Sequence, residues 1–239
     1  MLRALPSFAM PDAENFNPHR DRQRDLLRNG RLMLLFTPEL CRGGRANSLD
    51  VLDAVLPLVD VLQIRVKTGA RDLFDWSQKA LDVLAAHTGL DLPVLINDRV
   101  DVALALGASN SESAVAGVHL GQSDLLATEA RLLLGEAAII GRSTHDFAQV
   151  VLATEEPIDY LGFGPIFPTD TKGYTHGVGA ERAWMADTAT HLTVFPIGGI
   201  NAQSVSELGA VGRIAVSSAI LGAHDPEAAA RDLRQQIST

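Results

Sequence analysis

From Arg31 onward, short apolar runs alternate with longer stretches whose apolar residues recur at helical spacing. Eight runs predict strands: Leu32 to Thr37, Val61 to Val66, Pro93 to Asn97, Gly117 to Leu120, Ala138 to Gly141, Ile158 to Phe163, Val194 to Gly198 and Arg213 to Ser217. Between them, helices are predicted from a Ser48 cap through Leu49, Leu52, Val55 and Leu56, from Leu73 to Ala86, and through Val100, Ala103 and Leu104. Further helices are expected from Leu125 to Leu134, Phe147 to Ala153, near Glu181, from Ser204 to Leu208, and from Asp225 to Gln236.

Eight strand–helix units with no break in composition predict a single α/β domain, a (β/α)₈ TIM barrel over residues 31–239. A doubly wound open sheet would carry a Gly-rich turn after its first strand, whereas Thr37-Pro38-Glu39 stands there. Residues 1–30 form an N-terminal extension; its polar, charged stretch from Asp12 to Arg31 is expected to be an arm or helix outside the core. Ser109 to Val115, small and polar, reads as a surface insertion on the N-terminal face of the barrel.

Composition narrows the partners. The net charge of -9 argues against nucleic acid, which attracts clustered Lys and Arg, but leaves room for small anions held by a few local cations. No apolar run approaches the roughly 20 residues of a membrane span, and Met1 to Met10 lacks the pattern of a secretory signal. A single cysteine, Cys41, excludes an internal disulfide and fits a reducing cytoplasm. It is expected to be a structural thiol. The sequence is compatible with a homo-oligomer and does not specify one.

Polar residues collect where barrel chemistry sits, at the C-terminal ends of the strands. Alternation sends Gln63, Arg65 and Lys67 to the same side of the second strand, at the barrel mouth. Inward polar residues on a buried strand are costly without a ligand. Asn97-Asp98 and Gly121-Gln122-Ser123-Asp124 close the third and fourth strands. Each aspartate serves as a helix cap on a bland reading, yet together, near cations, they suit Mg²⁺ bridged to phosphate. Ser143 is either a ligand contact or a cap, and His119 and His145 read as structural histidines. Gly164 to Lys172 holds Thr169, Thr171 and Lys172 in a string with the composition of an anion-binding lid. Gly198-Gly199 and Ser217-Ser218 follow strands seven and eight, where barrels often bind a phosphate through backbone N–H groups. Two anionic sites are therefore expected, one for a monophosphate and one for a metal-bridged diphosphate.

Five stretches together, Gln63 to Lys67, Leu95 to Arg99, Gly117 to Asp124, Gly164 to Lys172 and Ile197 to Ile200, resemble the thiamine-phosphate synthase family in both content and order. The resemblance implies a transferase that joins an aminopyrimidine bearing a diphosphooxymethyl arm to a thiazole phosphate. It implies that Gln63, Arg65, Lys67, Asn97, Ser143 and Lys172 hold the pyrimidine diphosphate, with Arg65, Lys67 and Lys172 catalytic. It places Mg²⁺ on Asp98 and Asp124, and the thiazole phosphate on Thr169, Thr171, Gly199, Ser217 and Ser218. In the family, pyrophosphate departs first and the thiazole nitrogen captures the resulting pyrimidine-methyl cation. This sequence departs from the family pattern at Val66, where an acidic residue is common, and in its first strand.

Two rivals share the barrel. A thiazole tautomerase would use a histidine such as His145, but it needs no pyrophosphate site, so Asn97, Asp98, Asp124 and Lys172 argue against it. A non-catalytic binder of thiamine or thiazole phosphate is motivated by Val66 and the altered first strand.

Overall fold

The computed structural model describes residues 18–110, 113–169 and 176–237. Eight parallel strands form one sheet in the order β7-β6-β5-β4-β3-β2-β1-β8. They are β1 (Leu32–Phe36), β2 (Val61–Ile64), β3 (Val94–Asn97), β4 (Val115–Leu120), β5 (Ile139–Thr144), β6 (Tyr160–Phe163), β7 (Thr193–Pro196) and β8 (Ile214–Val216). One parallel bridge, Ile197 to Ala215, joins the two ends and closes the barrel. Around it lie α2 (Ser48–Val55), α3 (Ala70–Ala86), α4 (Val100–Ala105), α5 (Ala127–Leu134), α6 (Phe147–Ala153), α7 (Ala180–Thr188), α8 (Ser218–Leu221) and α9 (Pro226–Gln236), preceded by α1 (Pro18–Asn29). The expected TIM barrel is observed.

Period-two alternation sorts the strand residues between two cores. Leu32, Leu34, Phe36, Leu62, Ile64, Val94 and Ile96 face outward and pack with Leu52, Leu73, Val100, Ala130, Val150, Ala183 and Leu233 of the helices. Met33, Leu35, Val61, Leu95, Ile139, Tyr160, Phe195 and Ala215 face inward and fill the lower barrel. One step higher on the inner face the side chains turn polar: Gln63 follows Val61, Asn97 follows Leu95, and Ser217 follows Ala215. The core ends where the site begins.

Several local readings change. Ser48 does not cap a helix; it is the first residue of α2, and its hydroxyl donates to Arg45 O at 2.9 Å. The helix expected over Ser204 to Leu208 is a single 3₁₀ turn, Val205–Leu208. The fourth strand begins at Val115, inside the expected insertion, because Val115 is apolar and pairs with Val94.

The largest correction concerns α1, expected outside the core. Leu27 is only 1% exposed and belongs to the inner cluster with Met33, Val61, Ile139 and Phe195, so the helix plugs the floor of the barrel. Arg20, equally buried, donates to Ala116 O at 2.9 Å and Ala108 O at 2.7 Å. Arg24 pairs with Asp159 at 2.8 Å. Without α1 the apolar lower layer would face water, a cost of roughly 25 cal/mol per Å². Leu27→Ala is therefore expected to destabilise the protein by about 3 kcal/mol in urea denaturation. A loss below about 0.5 kcal/mol, the scale of surface substitutions, would show that α1 lies outside the cooperative unit.

Candidate active site

A cavity of about 1220 Å³ opens at the C-terminal ends of the strands. Of the residues expected to form the site, Gln63, Arg65, Lys67, Asn97, Asp98, Asp124, Ser143, Thr169, Gly199, Ser217 and Ser218 all line it. Thr171 and Lys172 lie outside the described residues.

β2 and the residues after it set the cationic side. Gln63 is buried, Arg65 is partly buried with its backbone N–H on Phe36 O at 2.8 Å, and Lys67 is exposed at the rim. Val66, between them, points the other way into the outer core. Burial pushes the Arg65 guanidinium below its ordinary value, while Asp98 and Glu39 pull it back. Among the described residues no carboxylate lies within 4.0 Å of it. A partly buried cation with no ion-pair partner is poised for an anion.

The loop after β3 holds Asp98 in an uncommon conformation. With φ of 66° it is the one non-glycine residue at positive φ among those described. Its N–H donates to His119 O at 2.8 Å. The position just before α4 belongs to Arg99, so Asp98 is not spent as that helix's cap. Its carboxylate pairs instead with Lys67. Burial opposes its ionisation, but the Lys67 ammonium and a hydrogen bond with Asp124 outweigh burial and hold it below the usual carboxylate range.

Asp124 is no helix cap either. Glu129 accepts from Leu126 N at the start of α5, and Asp124 Oδ2 accepts from Gly121 N at 2.6 Å. Burial, then the neighbouring Asp98 charge, pushes the Asp124 carboxyl up against the pull of that N–H and of Lys67. The two carboxyls are thus close enough to share a hydrogen bond, beside one ammonium. Among the described residues no group of three or more His, Cys, Asp or Glu side chains gathers as a metal cage. Two carboxylates leave the remaining positions of an octahedral ion for phosphate oxygens and water.

Ser143, on β5, does not cap α6. Asp146 does so, accepting from Gln149 N at 2.8 Å. Ser143 Oγ meets His119 Nε2 at 2.9 Å, and His119 Nδ1 meets the Tyr160 hydroxyl at 2.8 Å. His119 and Tyr160 were not singled out as ligand-facing by the sequence. The signal available was a Tyr at an inward strand position opposite a glycine, Gly141, on the preceding strand. His145 also lines the cavity, its Nδ1 against Gly164 O.

Across the mouth lies the other candidate pocket. Gly199, at φ 69°, has room for no side chain: a Cβ there would sit 2.5 Å from Pro168 O. Thr169 follows Pro168 at the same edge of the cavity. Ser217 Oγ donates to Leu35 O at 2.8 Å, and α8 begins at Ser218. Cys41 is buried in the outer core, and burial, with Glu39 nearby, pushes its thiol up to about 12. That burial fits a structural thiol. No described helix is long and apolar enough to cross a membrane.

A parallel barrel with cations, paired carboxylates and a Gly–Ser pocket gathered at the C-terminal rim has the architecture of a barrel enzyme. The chain belongs to the thiamine monophosphate synthase family, whose model matches residues 32–220. It is 42% identical over 210 residues to a thiamine-phosphate synthase of Albidiferax ferrireducens, covering 86% of this chain and 91% of that protein. A Synechococcus thiamine-phosphate synthase is 38% identical over 215 residues; there the match takes in 89% of this chain but 58% of the relative. The solved thiamine phosphate pyrophosphorylase from Pyrococcus furiosus superimposes with a TM-score of 0.73 at 27% identity, covering 90% of this chain and 97% of that one.

If Lys67 is what holds Asp98 ionised, Lys67→Met should move the Asp98 carboxyl midpoint up by about one pH unit or more. Carboxyl ¹³C NMR titration reads this directly. An unmoved midpoint would contradict the electrostatic assignment.

Proposed function

We propose that this cavity joins an aminopyrimidine methyl diphosphate to a thiazole phosphate, giving thiamine phosphate and pyrophosphate. The observation that carries the reading is the rim arrangement of Arg65, Lys67, Asp98 and Asp124, two cations interleaved with a carboxylate pair. The names of the relatives point the same way.

Asp98 and Asp124 fit a magnesium ion, since they offer two adjacent carboxylates on a rim that also offers cations to phosphate. When bound, such an ion would neutralise charge on the diphosphate. Lys67, which pairs with Asp98, is the group that would exchange this carboxylate for a diphosphate oxygen. Arg65 supplies a second cation from deeper in the wall. Gln63, Asn97 and Ser143 surround the space for the pyrimidine. Gly199, Thr169, Ser217 and Ser218 lie about the space for the thiazole phosphate. Lys172 and Thr171 are assigned to the diphosphate and the thiazole phosphate by their motif alone.

The bond between the methylene carbon and the diphosphate oxygen breaks with its electron pair leaving on oxygen. The amino-substituted ring delocalises the positive charge left behind. The thiazole nitrogen then donates its lone pair to that carbon, forming the new C–N bond. No proton need move. The residues' work is orientation, charge stabilisation and exclusion of water that would quench the cation.

His145 lines the same cavity, and a tautomerase would use such a group. The carboxylate pair and the cations opposite it have no task in a proton transfer within one substrate. Asp98→Ala and Asp124→Ala should each lower kcat by about 100-fold or more, while thiazole phosphate affinity stays within about threefold because β3 and β4 lie on the side of the barrel opposite β7 and β8. Pyrophosphate release that needs both substrates and stops on chelation is the accompanying check. Binding of both substrates without turnover would favour a non-catalytic binder, and equal loss of thiazole phosphate affinity would overturn the site map.

A further inference from the structure

Four polar side chains from four strands join into one hydrogen-bonded chain across the barrel. Tyr160, on β6, is fully buried, and burial pushes its phenol well above the ordinary value, so its hydroxyl stays protonated. Gln63, on β2, is 1% exposed; its amide Nε2 donates to Met33 Sδ at 3.7 Å and it also hydrogen-bonds Tyr160. With both amide hydrogens spent in this way, the Tyr160 O–H is left to donate to His119 Nδ1, 2.8 Å away. A neutral imidazole that accepts at Nδ1 carries its proton on Nε2. That N–H donates to Ser143 Oγ at 2.9 Å. The Ser143 hydroxyl hydrogen is then left to face the cavity.

The backbone is cleared for this chain. A Cβ at Gly141 would lie 2.2 Å from the Tyr160 ring, and one at Gly162 would lie 3.1 Å from His119 Cε1. At the other end, Gln63 Oε1 is buried with no hydrogen-bond partner. An unpaired buried carbonyl is costly unless a ligand donates to it. The chain therefore offers one acceptor, Gln63 Oε1 on β2, and one donor, the Ser143 O–H on β5, from two residues that line the same cavity. An aminopyrimidine offers the complement: an exocyclic N–H donor beside a ring-nitrogen acceptor.

We propose that His119 is a positioning residue that fixes the polarity of this chain, so that Ser143 offers a hydrogen and Gln63 a carbonyl to the aminopyrimidine. This rests on the synthase reading above. His119 touches neither reacting atom. It acts through Ser143 and Tyr160, and the opposite tautomer would turn Ser143 into an acceptor facing the acceptor nitrogen of the ring.

The test is steady-state kinetics of the full-length protein with both substrates and Mg²⁺, comparing wild type, His119→Phe, His119→Gln, Ser143→Ala and the double variant His119→Phe/Ser143→Ala. Gln can place an amide N–H near Nε2 and so restore the bond to Ser143. His119→Phe is expected to lower kcat/KM for the pyrimidine diphosphate roughly 10- to 100-fold, leaving KM for thiazole phosphate within about twofold. His119→Gln should recover most of that loss. The double variant should be no worse than Ser143→Ala, because the two residues act as one unit. Losses that multiply in the double variant, or a His119→Phe protein as active as wild type, would overturn the positioning role while leaving the synthase reading intact. Should His119→Phe fail to fold, a His119→Gln protein that folds yet shows the full loss would overturn it equally. A wild-type protein that binds neither substrate would sink the synthase reading, and this inference with it.

Discussion

Everything at the site depends on closing a parallel barrel in register. Neighbouring strands pair in parallel, with one register shift between β3 and β4, and period-two alternation gives every strand a set of inward positions. Where those positions are apolar they make a dry lower layer; one step later they turn polar and make a wall around a cavity. The same geometry leaves the opposite end of the barrel bare. Leu27 and the buried Arg20 of α1 fill that end, one by packing and the other by satisfying backbone carbonyls. Floor and site are two ends of one stack.

The electrostatics show how a chain of net charge -9 can hold anionic substrates. The field of the whole protein is unfavourable, so binding must come from a few cations kept close at low local dielectric. Among the described residues Arg65 is held partly buried with no carboxylate in contact, and Lys67 is paired with Asp98 and also acts on Asp124. Asp98 and Asp124 carry the cost of standing side by side: one is kept ionised by Lys67, and the other is pushed toward its neutral form. This balance is the feature on which the proposed uptake of a metal and a diphosphate rests.

Hydrogen bonding works to the same end among β2, β4, β5 and β6. Gln63, Tyr160, His119 and Ser143 each satisfy a neighbour, and the chain has only one consistent direction once the phenol is fixed as a donor. Such a network costs conformational freedom but presents groups in set orientations.

The barrel was legible in the sequence because strand and helix periods alternate eight times, and a buried parallel strand has no other composition available to it. The shared face of Gln63, Arg65 and Lys67 was legible for the same reason: a period of two places them without knowledge of any neighbour. The roles of Asp98, Asp124 and Ser143 were not, because the residues that cap helices are the residues that bind ligands. Only the folded chain shows Arg99, Glu129 and Asp146 at those helix starts, while Asp98, Asp124 and Ser143 line the cavity. The burial of α1 and the Tyr160–His119 pair were likewise undetermined by local pattern. Both rest on contacts between residues far apart in the chain, such as Arg20 with Ala116 and His119 with Tyr160. Sequence periodicity fixes which way a side chain points; only the closed barrel decides what it meets there.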